Sequence, residues 1–482
     1  MKTIRDLSPA ALWRYFDCLC AIARPTGHMA PVSDFIEAFC SDNHLDYSRD
    51  AAGNFVIRKP ASPGNETREA IILQAHLDMV CQYDDADIDP RAQGVLPVVD
   101  GDFVTARNSS LGADNGIGIA AILAILADPD LPHTPIEALL TVDEELGMVG
   151  VSALDASLLT GKRLVNTDFE QEGVVCIGCS GGTDMNVSFQ YKEGIAIPEG
   201  DIAVEITLSG LKGGHSGVDI HLGRANAIKL MSRFLKEAVS DYGARLASFG
   251  GGSARNAIPR SARAVVSIPA NNCESFWELV SDYRDIFADE YKGIEEALVF
   301  TAEQVPQPPA LIPELIQDDL INAIEAVHNG VLSRLPDFGG AVETSSNLGI
   351  ITTEPGAIRL KFLERSSSES RRYAACSAVE SLFSLAGAKV GFDNDYPEWQ
   401  PAHSAFADSV AAGYEKLFGT RPDFTVMHAG LECGILARLL PGVEIVAVGP
   451  DMFYPHSPSE KVSISSVDRF WRLLLEIVKC GS

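Results

Sequence analysis

The chain has 482 residues, long enough for two or three domains and a large core. With 46% apolar and 22% charged residues it has the composition of an ordinary soluble globular protein. Its 38 basic and 66 acidic side chains leave a formal net charge of −28, which repels nucleic acid and anionic membrane surfaces and suits a protein that gathers carboxylates around metal ions.

The N-terminal stretch, Met1-Lys2-Thr3-Ile4-Arg5-Asp6, leads into polar amphipathic sequence without a signal-like apolar region. The most apolar run, residues 117–127, is too short and too broken by Gly to span a bilayer. Ten cysteines are scattered without a dense framework, as expected of reduced thiols in the cytoplasm. Cys176-Ile177-Gly178-Cys179 is a lone C-x-x-C, without the second pair of a structural zinc site.

Ser8-Pro9 is a helix start, and apolar residues then recur at helical spacing through Cys20. A second helix is expected through Phe39, strands over residues 54–58 and 71–75, a buried helix over 113–126, and strands over 138–142 and 163–167. Strands alternating with helices predict an α/β sheet, with sites beyond the carboxyl ends of the strands. From about Asp201 the pattern becomes βαββαβ, the ferredoxin-like order, and it partly repeats between residues 313 and 392, after the Pro-rich joint Val305-Pro306-Gln307-Pro308-Pro309. The α/β pattern returns after residue 397 and closes with a helix over 465–478. The expected organisation is a catalytic domain of residues 1–182 and 398–482, with an inserted α+β lid or dimerisation domain of residues 183–397.

The strand Ile71-Ile72-Leu73-Gln74-Ala75 ends in His76 and Asp78. In an extended chain residues i and i+2 face the same side, so the carboxylate can orient the imidazole and raise its basicity. Four further polar elements sit at strand ends or helix starts. Asp114, in Gly112-Ala113-Asp114-Asn115-Gly116, reads alone as a helix N-cap. Asp143-Glu144-Glu145 reads either as an exposed acidic turn or as acids packed together, which is costly without cations or protonation. Asp168 again follows a strand, and His456 is framed by prolines; a lone loop histidine of that kind is usually a surface residue. Their joint occurrence in this order is what points to metal chemistry.

The ordered set His76-x-Asp78, Asp114, Glu144-Glu145, Asp168, His456 resembles the dinuclear zinc metallopeptidases of the M20 family. Gly112-Ala113-Asp114-Asn115-Gly116, Gly213-Gly214-His215-Ser216-Gly217 and His428-Ala429-Gly430-Leu431-Glu432-Cys433-Gly434 resemble its aminoacyl-histidine dipeptidase (cytosol nonspecific dipeptidase) branch, over essentially the whole chain. The resemblance implies that Asp114 bridges two metals, His76 and Asp168 complete one site, and Glu145 and His456 the other. It implies that Asp78 orients His76, that Glu144 is the general base and then acid, and that His215 stabilises the tetrahedral oxyanion, in this family often from the partner subunit. Asn256 resembles a residue that holds the substrate, and Arg365 one that binds the peptide's free carboxylate, with Arg371 or Arg372 as competitors.

Two Zn²⁺ per subunit are implied, and Mn²⁺ or Co²⁺ suits a similar shell. Such ions, about 3.5–4 Å apart, lower the pKa of a shared water and polarise the scissile carbonyl. The expectation is a cytoplasmic, homodimeric zinc dipeptidase of broad specificity that takes small peptides including Xaa-His, with no nucleic-acid or membrane partner. A tripeptidase, aminopeptidase or N-acyl amino acid amidohydrolase on the same site is the alternative, and a non-catalytic binding protein with a relic site is a third reading.

Overall fold

The buried run Ile71–His76 lies inside an eight-stranded sheet in the computed structural model, which describes residues 3–85 and 89–480, without the side chain of Cys480. Met1 and Lys2 of the N-terminal stretch fall outside the described residues. Ile71–His76 runs parallel to Ile136–Thr141 on one side and to Arg163–Asn166 on the other, and Glu444–Ala447 runs parallel to Arg163–Asn166. The carboxyl ends of these four strands therefore open on one edge. Every side chain of Ile71–His76 and of Ile136–Thr141 is buried, the pattern of strands covered on both faces. The helix Ala113–Ala127 packs between this sheet and the helices Ala10–Cys20 and Ile464–Cys480, which is why it is apolar nearly all round.

A four-stranded sheet went unread in the sequence. It joins Pro97–Asp100 and Phe103–Ala106 to the short strands Lys461–Ser463 and Met452–Phe453. This pairing carries the loop of His456 back to the first part of the chain.

The chain divides into two compact units: Met1–Cys179 with Trp399–Val426 and Leu431–Ser482, and Ser180–Glu398 with Met427–Gly430. The short segment Met427–Gly430, read from sequence with the C-terminal part, groups with the inserted unit.

The inserted unit contains a nine-stranded sheet, eight of whose strands form two ferredoxin-like halves, while the ninth, Gly330–Leu335, pairs with Ala341–Glu354 outside them. The first half runs Ile202–Ser209, helix Ala227–Tyr242, Arg245–Gly251, Ala262–Ile268, helix Cys273–Glu290, Val299–Val305. The second uses Gly181–Gln190, helix Glu314–Ala326, Ala341–Glu354, Ala357–Ser366, helix Glu369–Leu385 and Lys389–Tyr396. In both, the fourth strand lies beside the first, the first beside the third, and the third beside the second. The halves are nested, since the first strand of the second half precedes all of the first half. They meet at their second strands, Gly251 opposite Ile351, and the helices Ala227–Tyr242 and Glu314–Ala326 pack together. Tandem halves were expected because Gly181–Gln190 opens on two glycines and offers apolar residues only at alternate positions, Met185, Val187 and Phe189. Each half has its own aromatic cluster: Phe234 and Phe287 pack edge-on against Phe300, with centroids 5.1 and 5.4 Å away, and Phe362 against Phe383 at 5.4 Å. No helix among the described residues is long and apolar enough to cross a membrane.

Candidate active site

His76 ends the central strand, and its imidazole is fixed from behind. Nδ1 lies 3.1 Å from the Asp78 carbonyl oxygen and 3.5 Å from Asp78 Oδ1. The proton belongs on Nδ1, so Nε2 is left as a lone-pair donor. Asp78 is itself held by the Thr26 hydroxyl at 2.9 Å and by the backbone N–H groups of Glu144 and Glu145 at 2.9 and 3.1 Å. Burial opposes its charge, but the bonds from His76, Glu144 and Thr26 win and hold it down at about 2. One carboxylate thus orients the histidine and also places the two glutamates.

Asp114 lies between two histidines: Oδ1 is 2.9 Å from His76 Nε2 and Oδ2 is 3.1 Å from His456 Nε2. Asp168 Oδ1 is 3.4 Å from His76 Nε2, and Glu145 Oε1 is 2.8 Å from His456 Nε2. His456 adopts φ +59°, a left-handed backbone that a β-carbon resists and that is seen at functional loops. Three overlapping groups, His76 with Asp114 and Asp168, His76 with Glu144 and Glu145, and Asp114 with Glu145 and His456, each bring their ligand atoms within 4.8 Å of one another.

These carboxylates are crowded out of water. Burial, reinforced by Asp114, pushes Asp168 up to about 6. Burial, with Asp168, Glu145 and Glu432 adding to it against His76, pushes Glu144 well above the ordinary glutamate range. Glu145 Oε1 is buried and, apart from the ion-pair contact with His456 Nε2 at 2.8 Å, has no hydrogen-bond partner. An arrangement of imidazole nitrogens and carboxylate oxygens short of positive charge fits divalent zinc, manganese or cobalt. Asp114 belongs to two of the three ligand groups.

The supporting shell was not read from the sequence. Glu460 accepts backbone N–H bonds from Leu111, Gly112, Ala113 and Asp114 at 2.8, 2.9, 2.7 and 3.3 Å, fixing the Asp114 loop. Arg24, 2% exposed, donates to the carbonyls of Leu77 and Asp78 at 3.0 Å each and to that of Gly112. Asn115 donates to Asp168 Oδ1 and to the Thr167 carbonyl. A β-carbon at Gly118 would lie 2.1 Å from Asn115 Oδ1 and 2.2 Å from Thr167 Oγ1, so that glycine makes room for the clamp. Glu432, buried and raised by burial to about 7, accepts from Gln74 Nε2 and Thr141 Oγ1. The Glu432 motif was singled out in the sequence but given no role.

In the inserted unit, Gly214–His215 pairs with Ala257–Ile258. Asn256 is in the turn just before, its side chain exposed and its carbonyl accepting from the Ser216 N–H. The backbone N–H groups of Gly217 and Val218 donate to His215 Nδ1 at 3.3 and 3.1 Å. In the neutral ring the proton therefore resides on Nε2. That nitrogen is 3.5 Å from Arg365 Nη2, so two donors face one another and both can reach an oxygen placed between them. Arg365 is 4% exposed with Nε buried and unpartnered, and no carboxylate among the described residues pairs with it. Its competitors are engaged: Arg371 pairs with Glu343 at 2.9 Å, and Arg372 donates to Asp395, Thr183 Oγ1 and the Gly182 carbonyl.

A family model described as peptidase dimerisation domain, of the M20 peptidases, matches residues 206–295. The chain is 39% identical to the cytosol non-specific dipeptidase of Escherichia coli (strain K12) over 99% of both chains. It is similar to the crystal structure of aminoacylhistidine dipeptidase from Vibrio alginolyticus, with 42% identity, TM-score 0.87 and coverage of 99% of this chain and 98% of that one. A tripeptidase from Staphylococcus aureus, at 17% identity and TM-score 0.57 over 98% and 99% of the two chains, shares the fold. The chain belongs to the M20 peptidase family, in the branch of the cytosol non-specific and aminoacylhistidine dipeptidases.

Proposed function

We propose that the chain is a cytoplasmic, homodimeric metallodipeptidase that cleaves short peptides, Xaa-His among them, with two zinc ions per subunit. The observation that carries this reading is the gathering of His76, Asp114, Glu144, Glu145, Asp168 and His456, far apart in sequence, into one cluster of overlapping ligand groups. His76 and Asp168 would hold one ion, Glu145 and His456 the other, and Asp114 both; when bound, such a pair activates a water and polarises a carbonyl.

Glu144 takes the proton of the attacking water and later passes it to the leaving amine. Its buried, acid-crowded position raises its affinity for that proton. Asp78 keeps the Nδ1 proton on His76 and the two glutamate amides in place. His215 Nε2–H donates to the oxyanion, Arg365 takes the free carboxylate, and Asn256 helps hold the substrate. A dipeptide's scissile carbonyl carbon and terminal carboxylate carbon are separated by three bonds, which suits donors 3.5 Å apart. Residues 183–397 act as lid and dimerisation domain, supported by the dimerisation-domain match.

The test is hydrolysis of Ala-His, of a tripeptide and of N-acetyl-histidine before and after chelation. Chelation should abolish turnover of Ala-His, and Zn²⁺ should restore it. Equal or faster turnover of N-acetyl-histidine would overturn the dipeptidase assignment, and chelator-resistant turnover the metal centre.

A further inference from the structure

Arg365 belongs to a row that crosses four strands of the inserted unit. Ser345 is directly opposite Arg365, Arg365 opposite Gly182, and Gly182 opposite Tyr396. Directly opposed residues in antiparallel strands share a face. Gly182 contributes no side chain, and Tyr396 fills the gap: a β-carbon there would lie 2.3 Å from the Tyr396 oxygen and 2.4 Å from its Cζ. Through that gap Arg365 Nη1 donates to Tyr396 Oη at 2.6 Å. At the other end of the row, Ser345 Oγ is 2.7 Å from His428 Nε2. The His428 segment is pinned in turn, with the Ser180 N–H donating to the Met427 carbonyl at 2.9 Å. A β-carbon at Gly217 would come within 2.1 Å of the His428 carbonyl oxygen.

Within the row, the side chain that accepts from Arg365 is the uncharged Tyr396 hydroxyl, and the residue opposite it, Ser345, is uncharged as well. Burial, with Arg365 and His215 nearby, pushes His428 down to about 3 and favours its neutral imidazole. Tyr396 and Ser345 bring dipoles and no charge. An acid in the row would neutralise the guanidinium and compete with an incoming carboxylate, as Asp395 does at Arg372 and Glu343 at Arg371. Neutral partners orient Arg365 and leave its charge for a ligand.

We propose that Tyr396, acting across Gly182, and the His428–Ser345 pair are positioning residues that aim Arg365 Nη2 at the substrate's terminal carboxylate. This row sets the preference for a free carboxylate over an amide or a longer chain. The inference rests on the dipeptidase reading, and the test separates the two.

The measurement is kcat and KM for Ala-His and for Ala-His amide, with competitive inhibition by L-histidine against L-histidinamide as a binding readout. Tyr396→Phe keeps the ring and removes the hydroxyl; it should raise KM for Ala-His about tenfold with little change in kcat. It should leave the amide nearly unaffected and shrink the inhibition gap between histidine and histidinamide by a similar factor. Ser345→Asp, which sets an acid beside Arg365, should abolish the free-acid preference. If wild type favours Ala-His and Tyr396→Phe keeps that preference within about twofold, the row has no such role, while the dipeptidase reading stands. A fall in kcat at constant KM also overturns it. If wild type cleaves neither compound, the dipeptidase reading fails and this inference with it.

Discussion

The two units bury charge in opposite senses. In the first, Asp114, Glu144, Glu145 and Asp168 crowd two imidazoles, and burial drives Asp168 and Glu144 upward. In the inserted unit, Arg365 is buried with neutral partners, next to His215 and His428. The first cluster sets four carboxylates against two imidazoles, and Arg365 has no carboxylate partner among the described residues. An unmatched buried charge costs several kcal/mol, and a fold that keeps one has a ligand of opposite sign to meet it. The acids call for cations, and the guanidinium for an anion. In the proposed function the acids meet metal ions and the guanidinium meets the substrate's carboxylate.

The largest expected effect is on the acid-rich side. Glu144→Gln removes the proton acceptor and keeps the shape, so kcat should fall by about 10²–10⁴ while metal content by elemental analysis stays at the wild-type level. Loss of metal with retained turnover would mean that Glu144 is a ligand and Glu145 the base. On the cation side, Arg365→Met keeps much of the bulk and removes the charge. KM for a free dipeptide should rise about 10–100-fold, the scale of one charged hydrogen-bonded contact. A matching rise for the dipeptide amide would show that the charge does not read the carboxylate, and the contrast between the two units would lose its functional meaning.

Much of this site could be read from residue type and period. His76 and Asp78 stand two apart at the end of an apolar strand, and acids follow two neighbouring strands. Parallel strands bring such ends together, so a correct strand assignment already sets these acids near His76. The helices and strands that were anticipated occur in that order, with ends shifted by a few residues, but Asp46–Arg49, Val174–Cys179 and Gly330–Leu335 were not among them. What escaped depends on partners far along the chain. Ser459-Glu460-Lys461 looks like a solvated turn, yet Glu460 collects four backbone amides from residues 111–114. Arg24, between Ala23 and Pro25, has no local sign of burial. The role of Tyr396 requires knowing that Gly182 lies opposite it, and Gly181–Gln190 was not read as a strand. Pairing register between segments some two hundred residues apart leaves no periodic trace.

Glu364 offers a control for the comparison, because it is a buried charge-capable group that neither ligand meets. It is fully buried on the sheet face opposite Arg365, with Ser346 Oγ donating to Oε1 at 2.7 Å and Oε2 unpartnered. Thr183 is opposite it in the next strand, and Arg372, on the helix covering that face, is taken up by Thr183, the Gly182 carbonyl and Asp395. Burial therefore dominates and pushes Glu364 up to about 8 from an ordinary 4.5. The native state binds this proton more tightly than the unfolded chain does. The associated stability is intact below the unfolded value of 4.5 and is lost as pH rises through about 8. Glu364→Gln supplies a neutral isostere that never ionises, so its stabilising effect should grow across that window and level off above it. Thermal unfolding should show a variant close to wild type at pH 5 and several degrees more stable at pH 9, with kcat/KM for Ala-His little changed. A constant difference at the two pH values would mean that Glu364 keeps an ordinary acidity, and that burial in this unit does not decide charge as the contrast with Arg365 requires.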